Sequence, residues 1–170
     1  MFVKKTGILL LILASMIISS CEKDDICVDG ETPLLVIEFF EFDATEETTK
    51  AVSELRIVGE GKNVTVNTIA DRSDLQSITL PLRVNETSTT YSFIMNSADD
   101  TNGAETGNTD ILTFNYNNKE VYVSRACGFV MHFDTLSSIL ETDTENWIKN
   151  IETTETLVEN QAVTHVKIYH

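Results

Sequence analysis

The sequence predicts an all-β protein: a single antiparallel β-sandwich of about eight strands with one short helix near the C-terminus. Two patterns in the 170 residues support this class. Short segments repeatedly alternate apolar and polar side chains, as strands with one buried face do, and runs rich in Asn, Asp, Ser and Thr separate them. After removal of the leader described below, about 150 residues remain, which suits one domain with a substantial core.

The strands are predicted in order along the chain. Residues 34–42 form a first strand that is apolar on both faces, and the segments after it alternate with a period of two. Those segments are 55–57, 64–66, 78–84, 91–95, 111–116, 121–123, 129–133 and 163–169. Pro81 cannot donate a ladder hydrogen bond, so its strand is expected at a sheet edge or a bulge. The Asn-Asn-Lys run 117–119 tolerates left-handed backbone and is predicted to be the turn of a tight hairpin.

Only residues 136–150 show helical spacing, with apolar residues recurring from Leu136. Thr142 followed three residues later by Glu145 fits a capping box, which predicts a short helix that lays Trp147 onto the sheet. A membrane barrel of eight strands is the competing architecture. It is disfavoured because the first strand is apolar on both faces, whereas barrel strands alternate.

Residues 1–20 have the layout of a lipoprotein signal peptide. Lys4 and Lys5 precede an apolar run of about twelve residues, which is shorter than the ~20 of a spanning helix. Small residues then stand directly before Cys21. This pattern predicts cleavage before Cys21 and its acylation with diacylglycerol and a further chain such as palmitate, which anchors a protein permanently in membrane lipid. Residues 21–32 are then a lipidated tether, and residues 33–170 are the sandwich domain.

The net charge and the expected location of the protein both restrict the class of partner. The chain has 27 Asp and Glu against 12 Lys and Arg, a net charge of −15 at pH 7, and this disfavours nucleic acid as a partner. The charged residues 22–25 resemble the signal that sends some lipoproteins of Bacteroidota to the cell surface. The expected location is the outer membrane, with the protein held by lipid on its periplasmic or its cell-surface face.

Two further cysteines, Cys27 and Cys127, form an even set in an oxidising compartment, and we expect them to pair. Such a bridge would close a loop of roughly 100 residues. Two buried free thiols or a redox site are the alternatives. A redox site is disfavoured because Cys-x-x-Cys spacing is absent from the sequence.

Residues 98–105 collect side-chain oxygens around a glycine, as calcium loops do. The candidate ligands are Asp99, Asp100, Asn102 and Glu105. Their spacing departs from that of an EF-hand, so a polar hairpin loop without metal is the favoured interpretation.

Arg125 is predicted on the same alternating face as Val123, pointing into the core, where an arginine needs a carboxylate or an anionic ligand. We favour a structural partner over a ligand site. His132 and His165 are expected on the more polar sides of their strands, and no nucleophile or metal-ligand motif accompanies them or His170. The sequence therefore predicts no catalytic residue and no cofactor, and it favours a non-enzymatic protein over an enzyme.

Several blocks of the chain resemble an uncharacterised lipoprotein family of Bacteroidota. They are Leu-Thr-Phe-Asn-Tyr at 112–116, Val-Ser-Arg-Ala-Cys-Gly-Phe at 123–129, Trp-Ile at 147–148, the ending 165–170, and the openings 21–27 and 33–39. The resemblance implies an envelope address and the Cys27–Cys127 pair, and it adds no catalytic residue. Genes of this family tend to lie near one for a predicted outer-membrane barrel, which implies a membrane-protein partner.

We therefore expect a lipid-anchored envelope protein that contacts another envelope protein. A module that binds glycan or another small ligand is the alternative, and it would normally display exposed aromatic side chains. Tyr122 and Tyr169 are the outward-facing candidates for that role.

Overall fold

The computed structural model describes Cys27 and residues 30–170. Nine strands and no helix occur in this part of the chain, and the strands form two sheets. The strands are β1 (Leu35–Phe40), β2 (Val52–Gly59), β3 (Ser73–Leu75), β4 (Ser77–Leu80), β5 (Ser88–Met95), β6 (Asn108–Ser124), β7 (Gly128–Leu140), β8 (Asn150–Thr153) and β9 (Val166–Tyr169). One sheet has the order β4-β1-β9-β8 and the other β3-β2-β5-β6-β7.

The chain divides into two compact units. The larger unit comprises Glu31–Val121 and Val130–His170, and the smaller one combines Tyr122–Phe129 with Cys27 and Gly30. The signal peptide and the lipid-bearing Cys21 expected from the sequence lie outside the described residues. In the part of the chain that is described, no helix has the length and hydropathy needed to cross a membrane.

A single hydrophobic core joins the two sheets of the larger unit. In β1 the alternate residues Leu35, Ile37 and Phe39 are fully buried, and they belong to the same cluster as Ile57 and Phe93 of the other sheet. Burying one face of each sheet against the other removes both from water and is the main source of stability in such layered folds. The arrangement is all-β and sandwich-like, as predicted.

The four-stranded sheet is mixed, whereas the sequence predicted purely antiparallel strands. β1 pairs antiparallel with β4 but parallel with β9, because β9 enters the sheet between β1 and β8 after a long connection. β4 lies at the sheet edge and ends at Leu80, directly before Pro81, in agreement with the edge position predicted for that segment.

The predicted hairpin turn at 117–119 is wrong. β6 continues through these residues to Ser124, and the chain reverses after it, ahead of Gly128, whose φ of 71° is left-handed. The two asparagines instead bond to other strands and loops: Asn117 Nδ2 donates to Thr135 Oγ1 at 2.8 Å, and Asn118 Nδ2 donates to the carbonyl of Val84 at 2.8 Å.

The predicted helix is also wrong. Residues up to Leu140 belong to β7, and residues 141–149 are irregular. The strand has a left-handed residue, Thr135, with φ of 54°, next to the buried Leu136. The helical spacing of Leu136, Ile139 and Leu140 does not mark one buried face, because Leu136 is buried in β7 while Ile139 is 59% exposed.

Trp147 nevertheless lies against the sheet, as expected, but from an irregular segment. It is only 4% exposed, and its indole Nε1 donates to the Phe93 carbonyl at 3.2 Å. The next residue, Ile148, donates its backbone N–H to the buried carboxylate of Asp110 at 2.8 Å. Desolvation raises the pKa of Asp110, and its hydrogen bonds from the irregular segment partly offset that rise.

Candidate functional site

A groove lies in the larger unit where β2 ends at Gly59, β4 ends at Leu80 and β5 begins at Ser88. Its volume is about 380 Å³. The groove is lined by residues of three chain segments, namely 59–67, 81–83 and 89–91. Binding sites commonly form where loops meet at the end of a sheet, because the strands beneath hold the loops in place.

The first wall follows a tight turn after β2. Lys62 N donates to the Gly59 carbonyl at 2.9 Å, and Gly61 supplies the left-handed φ of 72° that this turn requires. The chain then runs back beside β2, where Val66 N donates to the Ile57 carbonyl at 2.9 Å. Val66 therefore packs on the core, while Val64 at the rim of the groove is 70% exposed.

The second wall is held by Tyr91, which is 4% exposed and whose hydroxyl donates to the Pro81 carbonyl. Desolvation raises the pKa of Tyr91 to about 12, so the phenol stays a neutral donor. Arg83 N donates to Thr89 Oγ1 at 2.9 Å, and Tyr116 Oη donates to the Arg83 carbonyl at 3.0 Å. The segment that carries Pro81 and Leu82 is therefore fixed against β5.

Apolar walls and basic side chains characterise the groove. Val64, Val66 and Leu82 supply aliphatic surface, and the charged residues Glu60, Lys62 and Arg83 also line the groove. Arg83 forms an ion pair with Glu86 at 3.0 Å, and hydrogen bonding to Glu86 is the main cause of its raised pKa. Such a groove can take up an apolar side chain and place a neighbouring acidic group near Lys62.

The loop predicted as a calcium candidate is organised around one carboxylate, that of Glu105. Its Oε1 accepts hydrogen bonds from the backbone N–H groups of Gly107 at 2.9 Å, Ala98 at 3.0 Å and Thr106 at 3.1 Å. Its Oε2 accepts from Ser97 Oγ at 2.7 Å. The carboxylate thus closes the base of the loop together with a backbone hydrogen bond from Thr106 N to the Ala98 carbonyl at 2.9 Å.

Two arginines complete this cluster, which consists of Arg56, Arg72, Asp99 and Glu105. The Glu105 Oε2 lies 3.3 Å from Arg56 Nη1 and 3.7 Å from Arg72 Nη2, and the guanidinium of Arg72 also pairs with Asp99. Partial burial alone would raise the pKa of Glu105. The hydrogen bonds to its carboxylate and the charge of Arg72 outweigh burial and lower that pKa to about 2.

The remaining calcium candidates are engaged in the same way. Asp100 Oδ1 accepts from the backbone N–H groups of Asn102 and Ala104, both at 2.8 Å. N–H groups aimed at a carboxylate repel a cation, so these side chains serve the loop itself. Within the described chain, no cluster of three or more His, Cys, Asp or Glu side chains is arranged to hold a metal ion.

Two sequence-based placements are wrong. Arg125 lies exposed in the turn that follows β6 and does not point into the core. His165 is fully buried; its Nδ1 accepts from Val36 N at 3.1 Å, whereas its Nε2 has no hydrogen-bond partner among the described residues. Desolvation lowers the pKa of His165. His132 and His170 are partly buried, and neither forms a catalytic pair with the other.

The disulfide predicted between Cys27 and Cys127 is present, with a Cα–Cα distance of 4.8 Å. By contrast, sequence reasoning missed the groove. Three features of the sequence belong to it: the Gly-Glu-Gly turn at 59–61, Val64 in a polar stretch, and Pro81. That these features lie together follows only from the pairing of β2 with β5, which the sequence does not show.

Comparison with known proteins gives a family match without an activity. Residues 54–170 match DUF6452, described as a family of unknown function. No curated protein is significantly similar to the chain. The same holds for the solved structures.

Proposed function

The chain belongs to the family DUF6452, whose function is unknown, and we propose that it is a lipid-anchored envelope protein that binds another envelope protein without catalysing a reaction. The leader pattern of residues 1–20 and the position of Cys21 support the anchor. A disulfide between Cys27 and Cys127 agrees with an oxidising compartment outside the cytoplasm. The proposed location is the outer membrane, on its periplasmic or its cell-surface face.

The groove is the observation that supports binding. Val64 exposes 70% of its surface at the rim of an apolar depression. Exposed apolar side chains beside a preformed concavity are typical of protein-interaction sites. Arg83 is paired with Glu86, so Lys62 is the lining residue whose ammonium group is proposed to meet an acidic side chain of a partner.

We therefore propose that the groove binds an exposed segment of an envelope protein, with an apolar side chain between the walls and an acidic one beside Lys62. The proposed class of partner is an outer-membrane barrel protein, whose loops and turns would reach a lipid-anchored domain. The segment could be short, because a volume of about 380 Å³ holds only one or two side chains.

A small apolar ligand is the second candidate, since the groove volume falls within the range of ligand pockets. A glycan has less support at Tyr169, one of the two aromatic candidates. The Tyr169 hydroxyl lies 3.0 Å from Glu47 Oε1 and 3.2 Å from Glu152 Oε2, so it is already engaged.

Photocrosslinking in intact cells tests the groove. A photoreactive amino acid at Val64 is expected to capture one dominant membrane protein, identified by mass spectrometry. The matched control is Val163, which is also exposed, at 46%, but does not line the groove. Both sites tolerate substitution because surface changes rarely alter stability by more than about 0.5 kcal/mol.

The variant Val64→Asp is expected to abolish co-purification of that partner, whereas Val163→Asp should retain it. Equal capture from both positions would contradict a groove-specific interaction. A co-purifying small molecule that Val64→Asp releases, without any protein crosslink, would favour the second candidate.

A further inference from the structure

The smaller unit carries an exposed aromatic pair. Tyr122 near the end of β6 and Phe129 at the start of β7 are 55% and 65% exposed. Their rings meet edge to face with centroids 5.4 Å apart. The turn between them includes Arg125, which is also exposed. We call residues Tyr122–Phe129 the hairpin tip.

The disulfide fastens this tip to the N-terminal segment. Cys127 in the turn is bonded to Cys27, 100 positions earlier. The chain passes close to the bridge at Gly30, where an added Cβ would lie 2.2 Å from Cys27 Sγ. A larger residue would clash with the bridge, so glycine allows this close approach. The tip and Cys27 therefore move as one piece.

Chain length then limits how far the tip can lie from a membrane. Cys27 is six residues after Cys21, and six residues span at most about 20 Å in any conformation. If acyl chains on Cys21 are embedded in a bilayer, the bridge cannot lie farther than this from the attachment point. An exposed Tyr and Phe held so close to lipid resemble the aromatic residues that settle at membrane interfaces.

We propose that the hairpin tip is a membrane-contact site that places Tyr122 and Phe129 in the headgroup region of the bilayer holding Cys21. Arg125 sits in the same turn and can pair with a lipid phosphate. The acyl chains supply the affinity, and the tip adds a second contact with the same bilayer. This inference rests on the proposed acylation of Cys21.

Fluorescence quenching on vesicles tests the contact. The full lipidated protein carrying Phe129→Trp is reconstituted into phospholipid vesicles that contain a nitroxide on the lipid headgroup. The native Trp147 is 4% exposed and supplies a constant background, measured in the parent chain. The matched control carries Val163→Trp. We expect about twofold or greater quenching at position 129 relative to position 163, because only the tip is proposed to enter the interface.

Loss of the disulfide provides the second arm. In Cys27→Ser/Cys127→Ser, ten residues separate Cys21 from Glu31, where the larger unit begins, and the reach grows to about 35 Å. Quenching of Phe129→Trp in this background is expected to fall toward the level of the control. Quenching that is unchanged without the bridge would contradict the role given to it.

The mass of the purified protein shows whether Cys21 is acylated. It therefore distinguishes failure of the membrane contact from failure of the lipid anchor. If Cys21 is acylated and position 129 is quenched no more than position 163, the membrane contact is wrong and the anchor stands. If Cys21 carries no lipid, the proposed anchor fails and this inference fails with it. If position 129 is covered by another protein in cells and its tryptophan is not quenched by the nitroxide lipid, the tip binds a protein partner, and the proposal is wrong.

Discussion

Replacing Glu105 by glutamine is expected to destabilise the chain in a pH-dependent manner. The Glu105 carboxylate accepts four hydrogen bonds from residues 97, 98, 106 and 107 and faces Arg56 and Arg72. Glutamine has the same size, but its amide nitrogen is a donor and would face donors at the position of Oε2. The substitution therefore removes both the charge and part of the hydrogen bonding.

The magnitude follows from the lowered pKa. Folding takes the pKa of Glu105 from 4.5 to about 2, which corresponds to roughly 3 kcal/mol at about 1.4 kcal/mol per pH unit. Because the side chain is 26% exposed, solvent reduces that value, and we expect a loss of about 1–2 kcal/mol at pH 7. The pKa is depressed, so this stability is present above pH 4.5 and is lost as the pH falls toward 2.

Denaturant unfolding of the purified chain at pH 7 and at pH 3 measures this effect. The difference in the free energy of unfolding between the parent and Glu105→Gln should shrink by about half or more at pH 3. Glu159→Gln is the matched control, because Glu159 is exposed and its loss removes the same charge. An equal difference at both pH values, or equal effects of the two variants at pH 7, would refute the reasoning.

Two further substitutions test buried polar contacts. His165→Leu should cost about 1–3 kcal/mol at pH 8, because Val36 N loses its acceptor. Because folding lowers the pKa of His165, its imidazole takes up a proton in the unfolded chain, but not in the folded one, as the pH falls below 6.5. The free energy of unfolding of the parent therefore falls in acid. The difference between the parent and His165→Leu should narrow accordingly when unfolding is measured at decreasing pH. Trp147→Phe should cost about 1–3 kcal/mol by calorimetry, since it removes the bond to Phe93 and leaves a small void, whereas the exposed Tyr122→Phe should cost less than about 0.5 kcal/mol.

The sequence predicted the strands that alternate regularly. The first strand, the segment around Tyr91 and Phe93, and the closing strand all occur, because a period of two directly records which face is buried. It failed where a local irregularity changes the period. In β7 the buried residues Val130, Phe133 and Leu136 are three positions apart, with the left-handed Thr135 between the last two, and the apolar residues after it match a helical spacing although they belong to the strand.

Side chains that bond over long sequence distances were the other source of error. Asn117 and Asn118 have the chemistry of turn residues, yet their amides are used to hold distant segments. His165 lies directly before β9, in a segment whose sequence alternates apolar and polar residues, but the backbone N–H of Val36 in β1 uses its Nδ1 as an acceptor. In each case the competing use depends on which strands become neighbours, and local pattern does not determine strand order.

The acidic loop at residues 98–105 could be recognised from the sequence, but the groups that neutralise its charge could not. Its oxygen-rich composition made calcium a candidate at residues 98–105, and the structure places arginine side chains there. Calcium and arginine are both able to neutralise that charge. Arg56 lies 49 positions from Glu105 and reaches it only because β2 pairs with β5, where Arg56 is opposite Ile94. The fold thus supplies guanidinium groups beside a loop that the sequence favoured as polar and without metal, and the hydrogen bonds to Glu105, together with the charge of Arg72, lower the pKa of its carboxylate.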